Sequence, residues 1–202
     1  MSNKVTPLLL VVSAPSGAGK SSLCNRLTEK FPQMVYSVSC TTRAPRGDER
    51  NGVHYHFLSD EEFSARMAAG EFLEHALVHG NRYGTLKQTV YDALKQGCDI
   101  IMDIDVQGAS QIRRACAAMR DEDPIKRSFV DIFIAPPSMD ELRRRLCGRA
   151  TDSVDVIEKR MRNATDEMKH QPLYQHTVIN DDFEKAADEL IKIIECEHHN
   201  RW

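Results

Sequence analysis

The sequence predicts an α/β fold, a mostly parallel sheet flanked by helices, with a smaller and partly antiparallel subdomain. Three observations carry this. Short apolar runs alternate with helical segments through most of the 202 residues, the pattern of βαβ units. Leu8, Leu9, Leu10, Val11 and Val12 form an unbroken apolar run, as in a strand covered on both faces, and lead straight into a Gly-rich turn. Between residues 35 and 80 the rhythm breaks, and several short strand candidates follow one another with little helix between them.

Taken in order, residues 8–12 are the first strand. A helical segment follows Lys20 and ends before Pro32. Residues 35–38 read as a short strand, and 39–52, rich in Arg, Pro and Gly, as a loop. Residues 53–58 are a further strand candidate. Ser59 with Glu62, Thr85 with Gln88 and Ser138 with Glu141 have the capping-box spacing that predicts three helix starts. Gly70 and Gly97 are expected to end the first two as left-handed C′ residues. Residues 71–79 have strand character. Residues 98–104 read as a buried strand and 108–119 as a helix. Residues 121–126 are a charged turn, and 129–134 another core strand. Val154, Ile157, Met161, Ala164 and Met168 recur at spacings of three and four, which marks one helix face. Residues 177–179 are a last strand, and a helix runs from about residue 183 onward.

Composition narrows the function classes. Lys plus Arg is 27 and Asp plus Glu is 30, a formal net charge of −3. That excludes a surface devoted to nucleic acid. Apolar residues are 41% and charged residues 28%, a globular balance that supports one sizeable core. No apolar run reaches the length of a membrane span. The six cysteines show neither C-x-x-C pairing nor metal spacing, so free thiols in a reducing compartment are expected. Lys4 and the apolar run after it mimic a short signal peptide, but the run is better explained as the buried first strand. The expected location is the cytoplasm. The eight histidines have no ligand spacing and are expected to be structural or surface residues. The sequence sets no oligomeric state.

Ala14, Pro15, Ser16, Gly17, Ala18, Gly19, Lys20, Ser21 and Ser22 lie between a strand and a helix. Glycines let backbone N–H groups turn inward around phosphates, and the helix N-terminus favours negative charge. Lys20 is placed to reach β- and γ-phosphates, and the Ser21 hydroxyl to bind Mg2+. Ala14 departs from the usual first glycine. Asp103 and Asp105 end a buried strand, where α/β sheets bind ligands. Asp103 is a candidate metal carboxylate, held directly or through water, and the plainer alternative for the pair is capping of the next helix.

Residues 41–57 concentrate basic and aromatic groups. Arg43 and Arg46 on a Pro-containing loop can converge on one phosphate as bidentate forks, and Tyr55 can add a neutral donor. The run Thr41-Thr42-Arg43, Arg46, Glu49, Gly52, Tyr55, Phe57 resembles the signature of guanylate kinases. The resemblance continues through Glu71-Phe72-Leu73-Glu74, Asn81-Arg82-Tyr83-Gly84-Thr85, Asp103-Ile104-Asp105, Ala135-Pro136-Pro137-Ser138 and Asn180-Asp181-Asp182, over nearly the whole chain. A phosphate loop with alanine first is also a form of that family.

The resemblance implies a P-loop kinase core, a GMP-binding subdomain at about 39–83 and a helical lid at about 139–170. The core would then comprise 1–38, 84–138 and 171–202. It implies transfer of the γ-phosphoryl group of ATP to GMP, with Mg2+. Ser39, Arg43, Arg46, Tyr55 and Tyr83 match positions that hold the GMP phosphate. Glu74 and Thr85 match those that read guanine, with Asp105 beside them. A carboxylate can accept from both N1–H and the 2-amino group of guanine, whereas adenine would leave it unpaired. Arg145, Arg149 and Arg160 match lid arginines, while Arg143, Arg144 and Arg162 are expected to be ordinary surface charges. Asn180 matches a position beside adenine. Lys20, Arg46, Arg149 and Arg160 are the expected charge-stabilising set. Two alternatives stay open at this point: a kinase for another phosphorylated acceptor, such as a ribose bisphosphate, and a phosphopeptide-binding module of the same fold.

Overall fold

The computed structural model describes residues 6–78, 80–148 and 153–201. A five-stranded parallel sheet forms the centre, ordered β2 (Val35–Tyr36), β7 (Ile100–Asp103), β1 (Leu9–Ser13), β8 (Phe129–Ala135) and β9 (His176–Ile179). β1 is buried at every position, which is why its sequence is apolar without alternation. Its side chains, with Leu8 just before it, serve two cores. Leu8, Leu10 and Val12 face α1 (Lys20–Lys30) and α8 (Phe183–Asn200), packing with Leu23, Leu27, Leu190 and Ile194. Leu9 and Val11 face α3 (Lys87–Lys95) and α4 (Val106–Ala118), packing with Val90, Leu94, Ile112 and Phe133. Each side chain buried this way contributes about 1.5–3 kcal/mol relative to exposure.

A second sheet, ordered β4 (His56–Phe57), β3 (Cys40–Thr41), β6 (Asn81–Leu86) and β5 (Phe72–Val78), is antiparallel except between β3 and β4. The helix α2 (Asp60–Ala68) packs on it through Phe63, stacked on Phe72 at 4.3 Å between ring centroids. α5 (Pro124–Ser128), α6 (Met139–Cys147) and α7 (Val154–Met168) complete the α-helices among the described residues, and a 3-10 turn spans Gln171–Leu173. Leu142, Leu146, Met161 and Ala164 join α6 to α7 in a small core of their own.

Ser59 forms the full capping box expected of it, and Gly70 and Gly97 take positive φ where α2 and α3 end. Ser138 caps α6 by accepting from the Glu141 N–H. Its glutamate is drawn away, because the Glu141 carboxylate pairs with Arg144 and Arg145. Thr85 does not start a helix. It is buried within β6, opposite Glu74, and α3 begins at Lys87 without a side-chain cap. Strand pairing on both sides of β6 outcompetes the local capping pattern. The charged turn at 121–126 includes the start of a helix, with Asp123 capping Ile125 N–H and Pro124 in the first turn. The strand expected at 53–58 shrinks to two residues behind a turn at Gly52. All six cysteines are free. His176 pairs with Glu197 and His198 with Asp99, the structural roles expected of histidine here.

Candidate active site

The carboxyl ends of β1 and β7 place the phosphate loop and the aspartates side by side. Lys20 Nζ lies 2.5 Å from Asp103 Oδ1 and donates to the Ile104 carbonyl at 3.0 Å. Ser21 Oγ donates to Asp103 Oδ2 at 3.3 Å. Ala14, Pro15, Ser16, Gly17, Gly19, Lys20, Ser21 and Ser22 line a cavity of about 410 Å³, together with Asp103, Asp105 and Glu167. Ala18, buried beneath, closes the loop by donating its N–H to the Pro15 carbonyl.

Gly17 and Gly19 both have positive φ, 96° and 92°. Contacts make the requirement stricter. A Cβ on Gly19 would stand 2.3 Å from Asn180 Nδ2, and one on Gly17 3.0 Å from Leu146 of α6. Asn180 is buried and donates to the Ala18 carbonyl at 2.8 Å. The residue matched to the adenine side is therefore also a strut under the phosphate loop.

The arginine-rich loop is arranged around Glu49. Its carboxylate takes both terminal nitrogens of Arg43 at 3.0 Å and the Arg46 N–H at 2.8 Å. The Arg43 hydrogen bond, then the Arg46 N–H, hold its acid down at about 2, so it stays charged. Arg43 lies over the Tyr55 ring, 5.4 Å from the centroid, and Tyr83 meets Tyr55 edge-on at 6.0 Å. Arg46 is exposed. Ser39 and Thr85 sit with their hydroxyls 3.4 Å apart. Ser39, Tyr55, Thr85 and Asp103 line a second cavity of about 230 Å³. Asp103 therefore borders both cavities.

Glu74 is buried with 6% exposure. Burial pushes its acid up to about 7, against hydrogen bonding from Thr85 and with a further upward push from Asp105. Asp105 itself caps α4, accepting from Gln107 and Gly108 N–H at 3.0 and 2.8 Å. The capping alternative thus holds for Asp105, beside its proximity to Glu74.

On α6, Arg145 is held by Glu141 at 2.7 Å and by the Asn180 carbonyl at 2.9 Å. Arg143 pairs with Glu158 and Arg144 with Glu141 on the surface, as expected of ordinary surface charges. Arg160 lies half buried on α7. Arg149 lies outside the described residues.

Two residues of this region were not singled out by sequence. Glu49 stood in the signature only as an acidic position, and its hold on Arg43 needs the loop's turn. Glu167 lines the phosphate cavity, and burial first, then Asp105, raises its acid against the pull of Lys20. No local pattern marks it. A more apolar cavity of about 530 Å³, lined by Tyr91, Leu94 and Pro124 among others, lies at the amino ends of the strands, away from these groups.

The arrangement suits two phosphorylated ligands meeting near Asp103, and comparison with known proteins agrees with it. The family model described as guanylate kinase matches residues 6–197. The guanylate kinase of Syntrophotalea carbinolica is 46% identical over 190 residues, covering 94% of this chain and 86% of that protein. That of Shewanella denitrificans is 49% identical over 187 residues, covering 92% and 86%. The crystal structure of guanylate kinase from Anaplasma phagocytophilum superposes with a TM-score of 0.69 at 33% identity, covering 96% of this chain and 88% of that one. A match this long, with the phosphate loop, arginine loop and buried carboxylate all present, has one reading: the chain belongs to the guanylate kinase family.

Proposed function

We infer that this enzyme transfers the γ-phosphoryl group of ATP to GMP, giving ADP and GDP. The observation that carries the reading is the pair of polar cavities bordered by Asp103, one lined by the phosphate loop and the other by Ser39, Tyr55 and Thr85. In this reading the core 1–38, 84–138 and 171–202 holds ATP, about 39–83 holds GMP, and about 139–170 is the lid. Ser39, Arg43, Arg46, Tyr55 and Tyr83 bind the GMP phosphate, and Glu74, Thr85 and Asp105 face guanine. The loop of residues 14–22 holds the ATP phosphates through its backbone N–H groups, of which Pro15 has none, with Arg145 and Asn180 toward the adenosine.

A phosphate monoester with a second pKa of about 6 is largely dianionic at neutral pH. The attacking oxygen is already deprotonated, so no general base is assigned. Its bond to the γ-phosphorus forms as the bond to the ADP oxygen breaks. Charge spreads over the equatorial oxygens, and positioned cations stabilise it. Lys20, Arg46, Arg149 and Arg160 fill that role. The Ser21 hydroxyl and an Asp103 carboxylate oxygen converge at 3.3 Å, a hard-oxygen pair suited to magnesium. Those two residues would hold Mg2+ with ATP, and the ion would neutralise phosphate charge.

No described helix is long and apolar enough to cross a membrane, and we assign the enzyme to the cytoplasm. ADP release from Mg·ATP, with GMP, AMP and ribose 1,5-bisphosphate offered separately, tests the reading. Turnover with GMP is expected, and Glu74→Ala is expected to lower kcat/KM for GMP by at least ~10²-fold. Equal turnover with ribose 1,5-bisphosphate would overturn the acceptor assignment.

A further inference from the structure

The strand that carries Glu74 is anchored from outside its own sheet. β5 is an edge strand, and an edge leaves one row of backbone groups unpaired by the sheet. At His75 both groups are taken by a side chain of the core. Gln111 of α4 accepts from the His75 N–H at 3.1 Å and donates to the His75 carbonyl at 2.8 Å. A carboxamide carries the same donor and acceptor as a peptide. Gln111 therefore stands in for one residue of a neighbouring strand.

The place of this contact matters. The β5–β6 register shifts between Phe72 and Glu74. A bulge re-aims the side chain beside it, and an irregular edge is where register is most easily lost. His75 is the residue immediately after Glu74. Three residues before Gln111, and so on the same face of α4, stands Gly108. A Cβ there would lie 3.2 Å from Glu74 Oε2 and 3.2 Å from Ile104 Cδ1. Asp105, three residues earlier again, caps the helix and binds the Gly108 N–H.

We propose that Gln111 and Gly108 are positioning residues for guanine recognition. Gln111 fixes the backbone of β5 just past its bulge, and Gly108 keeps clear the space that the Glu74 carboxylate occupies. This rests on Glu74 as the reader of guanine. Gln111 thus ties the strand that bears the reader to a helix of the core. Selectivity among purine monophosphates is set by one face of α4 as much as by the strand that bears Glu74.

The test measures kcat and KM for GMP, IMP and AMP at saturating Mg·ATP in wild type, Glu74→Ala, Gln111→Ala and Gly108→Ala. Glu74→Ala is the reference for the underlying reading. If it turns over GMP as wild type does, the reader assignment fails and the proposal falls with it. With Glu74→Ala impaired, Gln111→Ala and Gly108→Ala are each expected to raise KM for GMP about five- to tenfold, the scale of a sub-ångström displacement. KM for ATP should stay unchanged, kcat should move less than about threefold, and the preference for GMP over IMP should narrow. Gly108→Ala puts a stronger helix former inside α4, and a thermal melt checks that it stays folded at the assay temperature. Should Gln111→Ala melt below the assay temperature, Gly108→Ala decides alone by the same readouts. Unchanged KM for GMP and unchanged GMP-over-IMP preference, with Glu74→Ala impaired, overturn the proposal while leaving the reading intact.

Discussion

Glu74 sits below the surface with Thr85 as its hydrogen-bond partner, so its ionisation, guanine binding and folding are linked. Only the carboxylate can accept from two guanine N–H groups. Its acid at about 7 therefore predicts an acidic limb near neutral pH in kcat/KM for GMP, rising with pH, and a pH–rate series should show it. Glu74→Gln should lose that limb and keep the one near pH ~6 that belongs to the GMP phosphate. Stability runs the other way. The folded value of about 7 lies above the ordinary 4.5, so between those values the folded chain binds more protons than the unfolded one. Stability falls as pH rises through that window. In thermal melts, Glu74→Gln should gain on wild type as pH is raised from about 5 to about 8. Gly19 sets a second expectation. Gly19→Ala would meet both the positive φ and Asn180 Nδ2 at 2.3 Å, where L-residues are strained. Displacement of the loop should weaken ATP binding by ~10²-fold or more, measurable by titration calorimetry with Mg·ATP. These glycines and Lys20 were legible from spacing alone. Glu74 was legible only through resemblance, because its burial comes from strands distant in sequence.

Among the elements, α8 is tied down at its end by one arginine. Arg201 donates to the Arg127 and Phe129 carbonyls and pairs with Glu197, which in turn pairs with His176. Arg201→Ala should lower stability by about 1–3 kcal/mol, a drop in Tm of a few degrees for a chain of this size. Calorimetry should show it, with KM for both nucleotides unchanged, since the contacts lie far from Asp103. The central strands β1, β7 and β8 were readable because short apolar runs bounded by turn signals fit buried strands better than helices. β6 was not. Asn81-Arg82-Tyr83-Gly84-Thr85-Leu86 has no apolar alternation, and its strand character comes from pairing with β3 and β5. The same pairing turned a capping signal at Thr85 into a false helix start. The short helix α5 did carry a signal, aspartate before proline, but five residues are too few to show a helical period.

At the scale of the whole molecule, the phosphate loop is gripped from several directions. Leu146 of α6 abuts Gly17, Glu167 of α7 lines the cavity beside Ser16, and Asn180 supports Ala18. Closure of lid and arginine loop over both nucleotides should exclude water. Small-angle scattering should show a smaller radius of gyration with ADP and GMP bound than without, and no compaction would sink the closure. The parallel order of the central sheet has a further consequence, for synthesis. β1 pairs only with strands that begin at Ile100 and Phe129. At ~5–20 residues per second, a ribosome needs roughly 5–18 s between making β1 and making β7, the first of its two neighbours. Through that interval the most apolar strand of the protein waits without either neighbour, and no nucleotide can stabilise the chain. Its apolar residues are then a ready ligand for chaperones, or for the same strand of another nascent chain.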